Sequence, residues 1–135
     1  MIFVDTGALV GRYVLRDQHH AESVTGWKKI GDDNLSFCTS NLVIAEALTL
    51  IGRKADYHFA VETGRRIYSA NAMKILRSDA ADENAAVGFL EKYSDQKVSF
   101  TDCVSFAIMR KHRIHHVFGF DHHFQAAGFT LWNRR

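Results

Sequence analysis

Four acidic side chains stand in apolar segments of this 135-residue chain. Asp5 follows the segment IFV, Glu46 lies within NLVIAEALTLI, Asp102 lies within SFTDCVSFAIM, and Asp121 follows HVFGF. Burying an ionised carboxylate costs on the order of several kcal/mol unless the group is paired, hydrogen-bonded or bound to a metal. Four acids in the same kind of setting therefore suggest one shared means of stabilisation.

A divalent metal ion is the partner that such a cluster would need. Carboxylates brought together without a cation repel one another and raise one another's pKa values. Mg²⁺ or Mn²⁺ suits carboxylate and water ligands and leaves room for phosphate oxygens, so we expect one or two such ions. A metal-bound water can attack a phosphodiester, so no serine or cysteine nucleophile is needed. The motifs GxxxxGK[ST], GxGxxG and GxSxG are absent, so the sequence has no phosphate-binding loop, no dinucleotide-binding loop and no serine nucleophile elbow.

The elements that must position the acids follow from the hydrophobic pattern. Short apolar segments alternate with longer helical segments, which predicts an α/β fold: a central parallel sheet of four to five strands flanked by helices on both faces. The predicted strands are residues 2–4, 35–39, 73–77, 116–120 and, more weakly, 129–132. With 47% hydrophobic residues and no linker, the chain is expected to form one domain, residues 1–135.

The ligand crevice of an open parallel sheet lies beyond the carboxyl ends of its strands. Asp5 and Asp121 directly follow predicted strands. Asp102 lies in the first turn of a predicted helix, 101–112, that runs back into the next strand, so it starts at the same edge. Glu46 lies about one and a half turns into its helix, with a side chain that leans toward the helix N-terminus. All four acids can therefore converge.

Each aspartate also has a structural alternative. Asp5 could cap the helix that follows it, Asp102 could complete a capping box with Ser99, and Asp121 could cap the short segment HHFQAA. Glu46 lies inside its helix and has no cap to make, so it favours the shared site. By contrast, Asp79 and Asp82 precede and begin the segment AADENAAVGFL and are interpreted as a helix cap.

Histidines and cysteines offer weaker chemistry. Neighbours in sequence usually point apart, and no zinc spacing accompanies the adjacent pairs His19/His20, His115/His116 and His122/His123. A zinc site is therefore not favoured, although His122 and His123 could contact RNA or phosphate. Cys38 and Cys103 lack CxxC spacing and are interpreted as small buried residues in a reducing compartment.

The charge distribution allows a polyanionic partner without requiring one. The formal net charge is +2 and the pI is near 8.6. Short clusters of cations could contact phosphates or could be solvated helix ends. The candidates for RNA contacts are Arg12, Arg53, Arg110, Lys111, Arg113 and His122. No apolar run of about 18 residues and no signal-peptide pattern is found, so a cytoplasmic protein without membrane association is expected.

The order and spacing of the four acids resemble those of PIN-domain nucleases, particularly VapC-type toxins of toxin–antitoxin pairs. The segments FVDTGAL, NLVIAEALTL, SFTDCVSFAIMRKHRI and VFGFDHHF carry the resemblance, which covers nearly the whole chain. It implies that the acids hold one or two Mg²⁺ or Mn²⁺ ions and hydrolyse RNA. Thr6 and Thr101 would be polar supports. One departure is Gly119, where the family often has Thr or Ser two residues before the last acid.

Three functions remain compatible with the residues. The leading hypothesis is a metal-dependent ribonuclease toxin, silenced by an antitoxin whose tail offers a cation to the acids. The others are a solitary PIN nuclease in RNA processing and a module that binds nucleic acid or protein without cleaving. A homodimer is expected because the helix containing Glu46 and the next helix carry much apolar surface. The stripe on the second helix is Tyr57, Ala60, Val61, Gly64 and Tyr68.

Overall fold

A parallel sheet lies at the centre of the fold. The computed structural model describes residues 1–134, and these form the strands Ile2–Val4 (β1), Phe37–Ser40 (β2), Met73–Leu76 (β3), His116–Phe118 (β4) and Thr130–Leu131 (β5). All the strand pairs are parallel, in the order β3-β2-β1-β4-β5. Strands β2 and β3 lie on one side of β1, and β4 and β5 lie on its other side. The strand order therefore reverses between β1 and β4. The predicted sheet is confirmed.

The helices connect these strands in the alternation that a parallel sheet requires. Residues 1–134 form the helices Thr6–Tyr13 (α1), His20–Asp32 (α2), Asn41–Lys54 (α3), Tyr57–Ser69 (α4), Ala80–Lys92 (α5), Phe100–Lys111 (α6) and His123–Ala126 (α7). Two short 3₁₀ segments, Ser94–Gln96 and Trp132–Arg134, complete the description. None of these helices combines the length and the hydropathy that crossing a membrane requires.

Helix α2 has no apolar stripe by which its sequence could be recognised as a helix. Its buried positions are Ser23, Gly26 and Ile30, of which only one is a large apolar side chain. A Cβ atom at position 26 would overlap the ring of Phe118, so glycine allows this helix to approach the sheet closely. The small residues that make the packing possible also remove the apolar stripe by which such a helix is recognised.

The predicted strand ends needed small corrections. Strand β2 begins at Phe37 rather than at 35, and β4 ends at Phe118 rather than at 120. Residues 119 and 120 leave the sheet: the backbone N–H of Gly119 donates to Asn133 Oδ1 at 3.2 Å. Every residue of α6 from Asp102 to Met109 is buried. Asp102 therefore lies in the first turn of a largely apolar helix.

Candidate active site

Asp5 lies between the end of β1 and the start of α1. It occupies the N-cap position of α1, yet its side chain makes no capping hydrogen bond there. Only 5% of the residue is exposed, and its Oδ1 atom is buried without a hydrogen-bond partner among the described residues. Burial raises the pKa of Asp5 well above its usual value, and repulsion from the nearby Asp102 raises it further. The geometry therefore does not support capping as the role of this carboxylate.

Glu46 faces the same region from inside α3. The hydroxyl of Thr6 donates to Glu46 Oε2 at 3.2 Å, which joins the glutamate to the residue directly after Asp5. The negative charge of Glu46 also contributes to the raised pKa of Asp5. The glutamate in an otherwise apolar helix is thus turned toward the carboxyl ends of the strands, and the predicted support by Thr6 agrees with this contact.

Asp102 lies in the first turn of α6. Its backbone N–H donates to Ser99 Oγ at 3.0 Å, so Ser99 caps the helix, but the Asp102 carboxylate does not complete a capping box. The side chain is only 10% exposed. Burial, followed by the charge of Asp121, raises the pKa of Asp102 to about 6. One half of the structural alternative is therefore present, and the carboxylate itself remains available.

Asp121 follows β4 and is held in place by the residue two positions further on. Its Oδ1 accepts the backbone N–H of His123, the first residue of α7, at 2.9 Å. The N-cap residue of α7 is His122, which makes no side-chain capping bond, so the alternative of Asp121 as a helix cap is met only by this local bond. The ring atom His123 Nδ1 lies 2.9 Å from the same oxygen and 3.5 Å from Asp102 Oδ2. The His123 ring therefore lies beside two of the acids, although its Nδ1 makes no hydrogen bond among the described residues.

All four acids line one cavity of about 500 Å³. Thr6 and Ser99 line it too, whereas Thr101, the second predicted polar support, does not. Several further side chains of the cavity wall were not predicted from the sequence. These are Asp17, His19, Lys54, Lys97 and Phe120.

Most of the predicted RNA-binding cations lie elsewhere. Arg110 donates to the Ala127 carbonyl oxygen at 3.1 Å, and Lys111 lies 3.3 Å from Asp79 Oδ2. Arg113 lines a separate cavity with Lys74. The structure does not bring any of these cations to the acids, because they lie in the last turn of α6 or just beyond it, whereas Asp102 lies in its first turn.

The remaining candidates divide in the same way. The guanidinium of Arg12 lies 4.5 Å from the ring centroid of Trp27, in a groove between helices, and does not line the acidic cavity. Arg53 is exposed near the end of α3 and does not line it either. His122 does line the cavity and is the one predicted RNA contact that the structure places beside the acids.

The expectation that adjacent histidines point apart is wrong for His122 and His123. Their ring centroids are 4.4 Å apart, and each residue of the group Asp121, His122 and His123 offers a ligand atom within 4.8 Å of the others. His122 is largely exposed, with 78% of its side chain accessible. The buried, mutually repelling oxygens of the other acids are better explained by a hard cation than by a nitrogen site at the rim.

Gly119 has a geometric role in this arrangement. A Cβ atom at position 119 would lie 3.0 Å from the Cβ of Asp5, closer than side chains normally approach. A threonine or serine at this position would therefore displace Asp5 or the strand end. The close approach of Gly119 to Asp5 therefore explains why this chain has glycine where the family often has threonine or serine.

The donor set fits a divalent cation. Asp5 Oδ1 has no partner within residues 1–134, and the raised pKa values of Asp5 and Asp102 show that the ionised forms of these acids are destabilised in the site. Carboxylate oxygens in a polar cavity at the carboxyl edge of a parallel sheet can hold such an ion and an adjacent phosphate. Fold and site together define a class of α/β proteins with an acidic cavity at the carboxyl edge of a parallel sheet.

The chain belongs to the PIN domain family, whose pattern it matches over residues 2–130. It is 32% identical over 130 residues to the 23S rRNA-specific endonuclease VapC20 of Mycobacterium tuberculosis, in both strain CDC 1551 / Oshkosh and strain H37Rv. That alignment covers 96% of this chain and 96% of the relative.

A solved structure agrees with this relationship. The crystal structure of Mycobacterium tuberculosis VapC20, described as a sarcin–ricin loop cleaving toxin, is similar with a TM-score of 0.85 and 30% sequence identity. The match covers 96% of this chain and 97% of that chain. The predicted family resemblance and fold are therefore confirmed.

Proposed function

We propose that this chain is a metal-dependent endoribonuclease and the toxin of a toxin–antitoxin pair. The observation that carries the proposal is the buried, unpartnered Oδ1 of Asp5 in a cavity that Glu46, Asp102 and Asp121 also line. Such a cavity has no structural use, because it costs stability until a cation enters. A module that only binds would not need this arrangement.

The four acids would hold one or two Mg²⁺ or Mn²⁺ ions. When bound, a divalent ion lowers the pKa of a coordinated water and polarises phosphoryl oxygens. The chain itself supplies orientation: Thr6 holds Glu46 through its hydroxyl, and the backbone N–H of His123 holds Asp121. The His123 ring lies beside Asp121 and Asp102. Lys97 and His122, at the cavity wall, offer donors to the phosphates of a bound strand.

The substrate we propose is an unpaired loop of a structured RNA. The relative VapC20 is named as specific for 23S rRNA and as a cleaver of the sarcin–ricin loop. The cavity of about 500 Å³ is lined by charged and polar side chains, and RNA loops present the backbone and unstacked bases that such a site can reach. Action on ribosomal RNA would place the protein in the cytoplasm.

The direct test is cleavage of a labelled ribosomal stem–loop and of an unstructured RNA by the purified chain. We expect cleavage with Mg²⁺ or Mn²⁺ and none in EDTA, with recovery when the ion is restored in excess. Cleavage that continues undiminished in EDTA would contradict the metal mechanism. Binding of both RNAs without cleavage under any of these ions would instead support a non-cleaving module.

We also propose a homodimer through the face formed by α3 and α4. Tyr57, Val61 and Tyr68 are 66%, 51% and 53% exposed, and they line a broad apolar groove of about 940 Å³ together with Leu48. Contiguous exposed apolar surface of this kind commonly marks an interface. A charge at its centre, as in Val61→Glu, should shift the mass measured by light scattering from dimer to monomer. A monomeric wild-type protein at micromolar concentration would contradict the proposal.

An antitoxin is proposed to silence the site by electrostatic competition. A partner segment carrying Arg or Lys would place its cation among the four acids, where it would replace the metal. Excess Mn²⁺ should then weaken the complex, whereas Asp5→Asn should weaken it without added metal. A complex that is indifferent to both changes would show that inhibition does not use the acids.

A further inference from the structure

An aromatic pair that the acid chemistry does not use forms part of the cavity wall. The rings of His19 and Phe120 are stacked, with centroids 4.0 Å apart and planes inclined by 4°. Both residues are partly exposed, and both line the cavity that contains the four acids. Phe120 packs against the edge of the main hydrophobic cluster, whereas His19 is a polar ring that lies over it on the cavity side.

The pair is held in place from several sides. Phe120 packs closely on Gly7, where a Cβ atom would lie 3.2 Å from Cδ2 of the ring. The guanidinium of Arg134 lies 5.8 Å from the Phe120 ring centroid. The backbone N–H of His19 donates to Asp17 Oδ2 at 3.0 Å, which fixes the start of α2. A platform of this kind needs little ordering when a ligand arrives, so more of the stacking energy is available for binding.

We propose that His19, supported by Phe120, stacks an unpaired base of the RNA next to the phosphate bound at the acids. Unstacked RNA bases are commonly bound on aromatic side chains, and a base added to His19 would continue an existing stack. Asp121 directly follows Phe120 in the chain, so the platform and the acids are joined by one peptide bond. The inference rests on the proposed function, because it assigns a base to the strand whose phosphate the acids hold.

The experiment uses a stem–loop RNA with 2-aminopurine at one loop position at a time, bound by the Asp5→Asn variant so that the strand is not consumed. Stacking quenches the fluorescence of 2-aminopurine. We expect quenching at one loop position, its loss on adding His19→Ala, and its retention on adding His19→Phe, which keeps a flat ring. Binding to the His19→Ala form should be about five- to a hundredfold weaker.

His58→Ala is the matched control, because His58 is an exposed histidine on α4 that lies outside the cavity. It should change neither affinity nor quenching. An abasic sugar at the quenched position should weaken binding to the His19-containing protein by the same factor as His19→Ala, and the two changes together should cause no further loss. The abasic sugar alone, compared with the intact loop on the His19-containing protein, tests the contact from the RNA side without any substitution at position 19.

Equal quenching and equal affinity in the His19→Ala and His58→Ala forms would overturn the subsite. Additive losses from the abasic sugar and His19→Ala would also overturn it, because the base and the ring would then act separately. Failure of the proposed function gives a different result. Wild-type protein that binds and quenches the loop but never cleaves it would disprove the nuclease and leave the base subsite standing.

Discussion

Two pairs of aspartates stand at helix starts and experience opposite environments. At α5, Asp79 and Asp82 form a reciprocal capping box, and Lys111 lies 3.3 Å from Asp79 Oδ2. A hydrogen bond from the backbone of Asp82 lowers the pKa of Asp79. At α1 and α6, Asp5 and Asp102 have raised pKa values because they are buried beside other acids.

The difference separates structural from functional acids without reference to any relative. A capping aspartate is stabilised by the donors of its own helix, so its ionised form is favoured in the folded protein. Asp5 occupies a cap position without using it and leaves a buried oxygen unpartnered. A carboxylate whose ionised form is destabilised by the fold indicates a bound ligand that stabilises it. A carboxylate that its own helix stabilises gives no such indication.

The largest contrast should be in catalysis. Asp5→Asn removes a metal-binding oxygen, so RNA cleavage should fall on the order of a hundredfold or more, because even outer-shell changes at metal sites cost about 10- to 100-fold. Asp79→Asn keeps a good capping residue and should leave the cleavage rate unchanged. Single-turnover cleavage of the same RNA by both variants is the measurement.

Stability should move in the opposite sense for these two positions. Asp5→Asn removes one of several repelling charges and should keep or raise the melting temperature in EDTA. Asp79→Ala removes the cap and should lower it by roughly 2–5 °C. Loss of folding in Asp5→Asn, with Asp79→Ala unaffected, would reverse the assignment of the two pairs.

The next prediction concerns pH in metal-free protein. The pKa of Asp102 is about 6 in the folded protein against an ordinary aspartate value of 3.8, so the folded state holds the proton more tightly. Stability should therefore fall as pH rises through that interval, by on the order of 2–3 kcal/mol from this group. Urea unfolding in EDTA across the interval measures the slope.

Two variants check the origin of that slope. Asp102→Asn should flatten it, and saturating Mg²⁺ should oppose it, because the ion favours the ionised acids. Asp79 contributes in the opposite sense: its pKa is lowered, so its contribution is present above the unfolded pKa and is lost as pH falls through the folded pKa. An unchanged slope in Asp102→Asn would show that the raised pKa of this group does not govern the pH dependence.

The sheet and the convergence of the four acids on one cavity could be predicted from the sequence, because both leave periodic or anomalous signals. Glu46 is conspicuous within an apolar helix, and Asp5 and Asp121 are conspicuous directly after strands. The side chains that complete the cavity leave no such signal. Lys97 comes to its wall through a left-handed backbone with φ of 54° after a 3₁₀ turn, a conformation that no hydrophobic pattern reveals.

The stacked ring pair was missed for a related reason. His19 lies in the connection before α2, the helix whose small buried residues hid it from the pattern. Its contact with Phe120 spans most of the chain, and pairing of that kind is a property of the folded topology. Long-range contacts between connecting segments are therefore the part of the site that local sequence could not supply.

The smallest expected effect concerns the cations. Lys111 is paired with Asp79 and Asp82, and both Lys111 and Asp79 are about half exposed, so Lys111→Gln should shift the melting temperature by only about 1–2 °C. It should also leave the salt dependence of RNA binding unchanged, contrary to the contact expected for this helix end from the sequence.

Lys97→Gln removes the same charge from the cavity wall and should reduce the slope of log affinity against log salt by about 1. Binding isotherms at several salt concentrations compare the two variants directly. A reduced slope for Lys111→Gln with none for Lys97→Gln would place the RNA backbone along α6 rather than across the acidic cavity.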